Sequence, residues 1–411
     1  MRTYIPSRYM GWVGVILYKL SSSGRVMQGL TFTTSVVGSF PRPRWLIENF
    51  DKYSKGEISK EELDEYLDDA VKLTVKEEEL AGLDVLTDGE QRRTSFVAFV
   101  GGQKIPGFKL IYVTDINPRA IEIMKQYKAQ LTYWRAVAVE QIRDSVIALD
   151  EFKFTRSVTD RGGVKITLPS PYLIMWETWD AKYSRQVYPQ PEDLAKDYSK
   201  VLRQEIIRLR DAGVDFIQLD EPMLGDLTEA KENEPDRYRK VIEAIHGQKY
   251  RGFKNELYLA RDLVNETIKG IDGVRIGMHM DRWPNPDSPF YGIGFERLAP
   301  EVYDIKVKQY VLEYASPGSG DPAVFAKDLP SDKELGLGVI DVRNPQIEDP
   351  QIVVQRAERV VKVLDPRRIW LNPDCGFAPG MYRKFERRIA FSKIRSMTEA
   401  ARILRKKYGD K

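Results

Sequence analysis

Short apolar segments rich in β-branched residues alternate with amphipathic helical segments along most of this chain. Parallel strands that are buried on both faces are continuously apolar and require helical crossovers. A doubly wound open sheet is the alternative, but no glycine-rich phosphate-binding motif follows an early strand. The alternation therefore predicts an α/β fold of the (β/α)8 TIM barrel type. The predicted parallel strands are 33–40, 84–87, 164–168, 215–219, 274–278, 310–314, 336–340 and 368–372.

The predicted helices lie between these strands, at 59–80, 191–212, 254–271, 350–364 and 383–407. A barrel of this type needs roughly 250 residues, whereas the chain has 411. Part of the surplus is a long segment, about 91–163, between the second and third strands. Its stretch 107–123 alternates in the manner of β-hairpins. We therefore predict a flap or small subdomain inserted between strands 2 and 3.

The first 26 residues need a separate interpretation. An apolar run from Tyr9 to Tyr18 follows two arginines, which resembles a secretory signal, but no small-residue cleavage site comes after it. The run is also too short to span a bilayer. We interpret residues 1–26 as an N-terminal extension or a start codon assigned too early, and residues 27–411 as one barrel domain.

The charge balance and the cysteine count exclude several classes of protein. The chain has 64 Lys+Arg against 61 Asp+Glu, with both signs interleaved, which gives no electrostatic footprint for nucleic acid. No stretch approaches the roughly 18 apolar residues of a membrane span. The single cysteine, Cys375, excludes an internal disulfide and favours a reducing, cytoplasmic location. The chain has two histidines, His246 and His279, so a metal site or a general base can draw its imidazole groups only from these two.

Polar side chains follow the predicted strands at their C-terminal ends. These ends open onto one face of a barrel, where active sites are built. Strands commonly end in turn-forming polar residues, so a single case means little. Because the sole cysteine and one of the two histidines join several carboxylates there, we predict an active site on this face. The residues are Gly38-Ser39, Asp88-Gly89-Glu90, Ser170, Asp220-Glu221, His279-Met280-Asp281, Glu313, Asp341 and Cys375.

His279 and Asp281 are two positions apart, so on an extended strand both side chains point the same way. Together with Glu313 and Cys375 they could surround a cation. One imidazole, one thiolate and one or two carboxylates with an open position form a catalytic zinc set. The spacing alone leaves two alternatives open: a hydrogen-bonded buried histidine, and a cysteine that acts as a small apolar residue.

Five motifs occur along the chain in a fixed order. They are Thr33-Thr34-Ser35-Val36-Val37-Gly38-Ser39-Phe40-Pro41, Asp88-Gly89-Glu90, Ile217-Gln218-Leu219-Asp220-Glu221-Pro222, Leu312-Glu313-Tyr314-Ala315 and Asn372-Pro373-Asp374-Cys375-Gly376. Through these motifs, over about residues 31–407, the chain resembles the catalytic C-terminal barrel of cobalamin-independent methionine synthase, and the short archaeal and bacterial proteins built from that half alone. The resemblance implies an enzyme in which zinc binds the thiol of homocysteine and a methyl group is transferred to the resulting thiolate.

The resemblance implies that His279, Glu313 and Cys375 are zinc ligands. In the family the histidine motif is His-X-Cys, whereas this chain has His279-Met280-Asp281. A carboxylate in place of a thiolate keeps the formal charge but is a harder donor. We therefore expect a more electrophilic zinc, or tolerance of another divalent metal such as iron or manganese. Asp281 is either a ligand or a hydrogen-bond partner of His279.

The resemblance also implies that Ser39, Glu90 and Asp220 hold the amino-acid end of homocysteine. Two carboxylates suit an ammonium group, which has three donors and no acceptor. The alternative is that Glu90 and Asp220 form ion pairs with Arg92, Arg93 or a lysine.

Arg343 stands where long family members have a histidine thought to protonate the departing folate. Arginine is always charged near neutrality and cannot act as a general acid. The chain also lacks the N-terminal half that helps to hold folate in full-length enzymes. Both differences weaken methyl-tetrahydrofolate as the donor. The short family members suggest instead a methyl or alkyl group delivered on a corrinoid protein, as in methylcobalamin, or another activated small molecule. Arg343 either contacts an anionic donor or is solvated or ion-paired, and Trp176 and Trp179 either wall the donor pocket or pack in the core.

We expect a zinc-dependent methyl or alkyl transferase that acts on a small-molecule thiol, most simply homocysteine, and resembles 5-methyltetrahydropteroyltriglutamate–homocysteine methyltransferase. One alternative is a diverged enzyme that carries out C–S lyase or dealkylation chemistry. The other is a non-enzymatic binder of a thiol amino acid.

Overall fold

The computed structural model describes residues 30–95, 97, 99–126, 134–229, 243–244, 247–282, 291–378 and 386–409. The segment 1–26 and His246 lie outside these residues. Among the residues that the structure describes, none of the helices combines the length and apolar character that crossing a membrane requires.

The described residues form a parallel barrel. Eight strands pair in parallel in the order β1, β10, β9, β8, β7, β6, β5, β2. A parallel bridge between Ser35 and Val85 joins the two end strands of this order. The predicted (β/α)8 barrel is confirmed. The strands are β1 Thr33–Thr34, β2 Val85–Leu86, β3 Phe108–Tyr112, β4 Trp134–Ala138, β5 Gly163–Pro169, β6 Phe216–Asp220, β7 Arg275–Met280, β8 Gln309–Leu312, β9 Glu334–Ile340 and β10 Ile369–Pro373.

Each predicted barrel strand overlaps an observed one, but β1 is much shorter than the predicted 33–40. After Ser35 the backbone leaves the ladder and bonds to groups of the barrel interior and mouth. The carbonyl of Val36 accepts a hydrogen bond from the Lys165 ammonium, and the amide of Phe40 donates to the carbonyl of Gly89 over 3.0 Å. The rest of the apolar run is therefore buried loop.

Helices cover the outside of the barrel. Four of the five predicted helices are confirmed to within a few residues of their bounds; the fifth, 383–407, is confirmed from residue 387, and 383–385 lie outside the described residues. The helix at residues 60–81 begins after Ser59, whose side chain accepts from the amide of Glu62, and ends at Gly82 with a left-handed φ of 86°. The helices are α1 Arg44–Ser54, α2 Lys60–Ala81, α3 Val113–Ile116, α4 Ala120–Gln126, α5 Leu149–Ser157, α6 Pro171–Thr178, α7 Pro191–Asp211, α8 Pro222–Asp226, α9 Phe253–Ile268, α10 Pro322–Ala326, α11 Pro350–Val361 and α12 Arg387–Tyr408.

The insertion between β2 and β5 contains the antiparallel pair β3 and β4, as the alternating pattern predicts. The hairpin prediction is wrong for the second half of 107–123, where α3 and α4 form instead. The side chain of Asn117 accepts from the amide of Arg119 over 3.0 Å, and Arg119 pairs with Glu122. Local capping and an i,i+3 ion pair thus favour a helix over the alternation.

The barrel interior is polar above an apolar floor. On β6, Ile217 and Leu219 belong to the large core shared with the helices, so Phe216 and Gln218 point inward. Phe216 and Trp370 meet edge to face with ring centroids 5.7 Å apart. The apolar floor consists of Val37, Val85, Phe216, Val311 and Trp370.

Helix α12 ties the last strands to the first. The guanidinium of Arg405 donates to the carbonyls of Thr31 and Phe32 over 2.9 Å and also reaches the carboxylate of Asp84. Asp84 in turn accepts from the amide and hydroxyl of Thr34 over 2.7 Å. These contacts fix β1 between β10 and β2.

Candidate active site

Strand β7 and the loop after β10 bring three potential metal ligands together. On β7 the side chain of Met280 belongs to the apolar core, so the neighbouring His279 and Asp281 point into the barrel. Cys375 follows the last residue of β10 by two positions. One ligand atom each of His279, Asp281 and Cys375 lies within 4.8 Å of the other two. We call these three residues the mouth cluster.

The imidazole of His279 is oriented by the neighbouring strand. Its Nδ1 lies 3.0 Å from the carbonyl oxygen of Val311, which assigns the proton to Nδ1. Its Nε2 is buried and has no hydrogen-bond partner among the described residues. Burial lowers the pKa of His279, although the charge of Asp281 opposes this effect. A buried, unpartnered nitrogen lone pair beside a thiol and a carboxylate fits a metal ion.

The thiol of Cys375 is buried and lies beside the carboxylate of Asp281. Burial and the negative charge of Asp281 raise the pKa of Cys375 well above its usual value. The same environment therefore disfavours the thiolate unless a cation offsets the negative charge. Together with the orientation of His279, this makes the mouth cluster suited to a cation.

Glu313, the fourth predicted ligand, lies directly after β8 but does not belong to the mouth cluster. Its Oε2 accepts a hydrogen bond from Nη2 of Arg343 over 2.5 Å. Its Oε1 is buried without a hydrogen-bond partner. Burial raises the pKa of Glu313 above its usual value and the charge of Asp281 adds to the rise, although the guanidinium of Arg343 opposes it. Glu313 thus lies near Asp281 but is held by Arg343.

Asp374 positions the turn that follows β8. Its Oδ1 accepts from the amides of Tyr314 and Ala315 over 2.9 and 2.8 Å. Its Oδ2 accepts from the amide and hydroxyl of Ser316, both over 2.6 Å. The sequence analysis missed this role, although the position of Asp374 directly before Cys375 in a strand-end motif signals it. The buried carboxylate fixes two edges of the mouth relative to each other.

Glu90 and Asp220 lie on neighbouring parts of the same face. Oε1 of Glu90 accepts from the hydroxyl of Thr167 over 2.7 Å. Oδ1 of Asp220 accepts from the amide of Gln218, also over 2.7 Å. Burial and the negative charge of Glu90 together raise the pKa of Asp220 to about 8. The two carboxylates are therefore close enough to repel each other, as in a site for an ammonium group.

Ser39 packs against the segment that follows Cys375. Its hydroxyl accepts from the amide of Ala378 over 3.2 Å, and its carbonyl from the amide of Phe377 over 2.9 Å. A Cβ added to Gly376 would lie 2.2 Å from the hydroxyl oxygen of Ser39. The structure thus places the predicted serine beside the mouth cluster.

The alternative that nearby arginines pair with Glu90 fits only partly. Arg92 forms its ion pair with Asp68. Arg93 lies 3.7 Å from Oε1 of Glu90, but it donates two hydrogen bonds of 2.9 and 2.8 Å to Glu151. Glu90 therefore lies beside the guanidinium of Arg93, which is already hydrogen-bonded to Glu151.

Lys165 is a functional candidate that the sequence analysis missed. It lies inside the barrel on β5, and its ammonium donates to the carbonyl of Val36 and, over 2.9 Å, to Oε1 of Gln218. The amide of Gln218 then donates to Asp220. Burial lowers the pKa of Lys165 to about 7, against the opposing charge of Asp220. Its signal in the sequence is a lysine within an otherwise apolar predicted strand.

Trp176 and Trp179 belong to the core. Both are buried in the large apolar cluster, and the indole of Trp179 donates to the carbonyl of Tyr188 over 2.9 Å. Their burial in this cluster supports the core alternative.

Sequence comparison decides the family. The family described as cobalamin-independent synthase, catalytic domain, matches residues 32–248 and 292–403. The chain belongs to this family. The membership confirms the resemblance carried by the motifs and the expected enzyme class, a methyltransferase.

Curated relatives of the family have nearly the same length as this chain. A methionine synthase of Sulfurisphaera tokodaii is 34% identical over 92% of this chain and 94% of its own length. One from Pyrococcus abyssi is 32% identical over 91% of this chain and 93% of its own length. A B12-independent methionine synthase from Shewanella, solved with selenomethionine, has a TM-score of 0.70 at 20% identity and covers 92% of this chain and 98% of its own. This similarity supports the barrel fold.

Proposed function

We propose that this protein transfers a methyl group to the sulfur of homocysteine and so forms methionine, with zinc bound at the mouth cluster. The observation that carries the proposal is the convergence of ligand atoms from His279, Asp281 and Cys375 within 4.8 Å. One imidazole, one thiolate and one carboxylate are ligands that zinc accepts, with a fourth position open.

Bound zinc would supply one chemical effect: it lowers the pKa of the substrate thiol, so that the sulfur is nucleophilic near neutral pH. The protein's own residues prepare the site. The carbonyl of Val311 holds His279 with Nε2 unpartnered. Asp374 fixes the turn after β8 relative to Cys375.

The amino-acid end of homocysteine would bind between Glu90 and Asp220. Thr167 and Gln218 donate to these carboxylates and leave their other lone pairs for the ligand. Binding an ammonium group would favour the ionised form of Asp220. Ser39 would line the same end of the site. Holding both ends of the substrate places its sulfur for attack on an activated methyl group.

The relatives support the proposal. Proteins of nearly the same length are named methionine synthases in Sulfurisphaera and Pyrococcus. The Shewanella protein of the same fold was solved with selenomethionine, an analogue of the proposed product.

The donor is a separate question with two candidates. The family description, cobalamin-independent, favours methyl-tetrahydrofolate. Arg343 in place of a histidine favours methylcobalamin, since an arginine cannot protonate a departing folate.

The decisive experiment supplies both donors. Zinc-loaded protein is incubated with homocysteine and either methyl-tetrahydrofolate or methylcobalamin, and methionine is measured by mass spectrometry. We expect methionine with one donor and its loss in Cys375→Ala. Zinc-loaded protein that forms methionine with neither donor would refute the proposal. Release of sulfide or of a dealkylated thiol without a donor would instead support the lyase or dealkylation alternative.

A further inference from the structure

Arg343 lies on the loop after β9 and reaches into the mouth of the barrel. Its Nη2 is 2.5 Å from Oε2 of Glu313. Its Nη1 donates to the hydroxyl of Ser316 and lies 3.8 Å from Oδ2 of Asp374. Its backbone amide donates to Asp341 over 2.8 Å. The side chain is only 19% exposed, so the guanidinium is held on several sides.

The two oxygens of Glu313 have different surroundings. Oε2 is bound by Arg343, whereas Oε1 is buried and has no hydrogen-bond partner among the described residues. Glu313 directly follows β8, the strand that pairs with β7, and the negative charge of Asp281 acts on its carboxylate. Yet no ligand atom of Glu313 falls within the 4.8 Å set of the cluster. Glu313 is thus close to the cluster but pairs with the guanidinium of Arg343.

We propose that Arg343 is a positioning residue that holds Glu313 away from the mouth cluster, so that its guanidinium and the metal ion compete for one carboxylate. The inference rests on the metal site of the proposed function. A buried guanidinium–carboxylate pair is a strong, directional contact. While it persists, the metal ion is bound by His279, Asp281 and Cys375, and its fourth position is free for the substrate sulfur.

Removal of Arg343 would leave Glu313 as a buried carboxylate without its partner, which is costly. A cation in the mouth cluster would relieve that cost by drawing Glu313 into its coordination. The metal ion would bind more tightly and would lose its open position. A purely structural Arg343, which only ties Ser316 and Asp374 to the loop, would alter thermal stability and leave metal affinity unchanged.

The test is a double-mutant cycle on metal affinity with the full chain. Zinc affinity is measured by competition with a chromophoric chelator, and coordination number from the visible spectrum of the cobalt form. We expect Arg343→Met to bind zinc about 10-fold or more tightly than the wild type, the scale of effects from groups around metal ligands. Glu313→Gln should change affinity little in the wild type but abolish the gain in Arg343→Met.

Two further variants control for folding and charge. Arg343→Gln removes the charge but keeps a donor for Ser316, so it should reproduce the gain if Arg343→Met fails to fold. Arg156→Met removes an arginine that pairs with Asp215 over 3.0 Å before β6, at the other end of the barrel. Its zinc affinity should match the wild type.

The proposal is overturned if both folded Arg343 variants bind zinc no more tightly than the wild type. It is also overturned if Glu313→Gln weakens zinc binding equally with and without Arg343, since Glu313 would then already be a full ligand. These readouts require no methyl transfer. Competition for Glu313 without methionine formation would contradict only the proposed activity, and methionine formation without competition would contradict only this inference.

Discussion

Asp281 reaches the mouth cluster because a glycine packs against its backbone. A Cβ added to Gly225, in α8, would lie 1.9 Å from the carbonyl oxygen and 2.7 Å from the carbonyl carbon of Asp281. Two backbone segments cannot yield at such a distance without moving the strand end. The position of a ligand therefore depends on a residue that has no side chain.

We predict that Gly225→Ala displaces Asp281 and lowers zinc affinity by at least about 10-fold, although no ligand is changed. The measurement is chelator competition on the soluble protein. Gly102→Ala is the control, because a Cβ there meets nothing within 4 Å. Equal zinc affinity in Gly225→Ala and the wild type would show that Asp281 is not a ligand, or that the helix moves instead.

The metal preference should follow the identity of residue 281. Asp281→Cys restores the His-X-Cys motif and replaces a hard oxygen with a soft sulfur. We predict that the variant retains its metal and selects zinc over manganese or iron more strongly than the wild type. Elemental analysis after exposure to an equimolar metal mixture measures this. Unchanged selectivity would argue against coordination by Asp281.

The affinity for the amino-acid end of a ligand should depend on pH through Asp220. Burial and the charge of Glu90 raise the pKa of Asp220 to about 8. Below that pH the empty site holds Asp220 protonated, whereas an ammonium group requires the carboxylate. Binding therefore releases a proton, and affinity should rise as the pH increases toward about 8.

Calorimetric titration of methionine at several pH values tests this dependence. Asp220→Asn should bind more weakly and lose the pH dependence in this range. Glu90→Gln should shift the dependence to lower pH, because a repelling charge is gone. Constant affinity of the wild type between about pH 6 and pH 8 would contradict the assignment.

Among the elements, α2 carries a second buried carboxylate whose protonation should affect stability. Glu78 accepts from the amide and hydroxyl of Thr87 over 2.6 and 2.9 Å. Burial outweighs the opposing hydrogen bonds from Thr87 and the charge of Lys165, and the pKa of Glu78 is raised to about 8. The folded protein thus binds a proton that the unfolded chain releases above its ordinary pKa of about 4.5.

Because the folded state binds more protons between about pH 4.5 and pH 8, stability should fall across that window. The limit is about 1.4 kcal/mol per pH unit for one group. We predict that Glu78→Gln reduces this fall, measured by urea unfolding at both ends of the window. The amide can be accommodated, since the Thr87 hydroxyl also lies 3.2 Å from the carbonyl of Gly38. An unchanged slope would show that Glu78 is ionised in the folded state.

At the scale of the elements, local sequence features decide which strands and helices could be predicted. Strand β7 could be predicted because apolar residues run through it, and the two-residue period then places His279 and Asp281 on one side. The helices α3 and α4 could not, since capping by Asn117 competes with an alternating pattern of similar length. The pairing of Glu313 with Arg343 could not be predicted either. It depends on the path of the loop that carries Arg343, which no periodicity encodes.

At the scale of the whole molecule, the architecture of a barrel predicts contacts between distant residues that local sequence patterns do not predict. Residues far apart in the sequence, such as His279 and Cys375, were predicted to meet because strand ends of a barrel share one face. Lys165 was missed because a buried lysine contradicts the apolar composition of such a strand. Its hydrogen-bond partners, Val36 and Gln218, become apparent only from the three-dimensional structure of the barrel interior.

Strand β10 lies between β9 and β1, and it delivers Cys375. The sulfur can therefore meet the imidazole only after β10 has paired with β9. A cation that requires both atoms binds the state in which β10 is in place, so ion binding and the docking of β10 stabilise each other. During synthesis, the chain would acquire its full set of ligands only as its final strand leaves the ribosome.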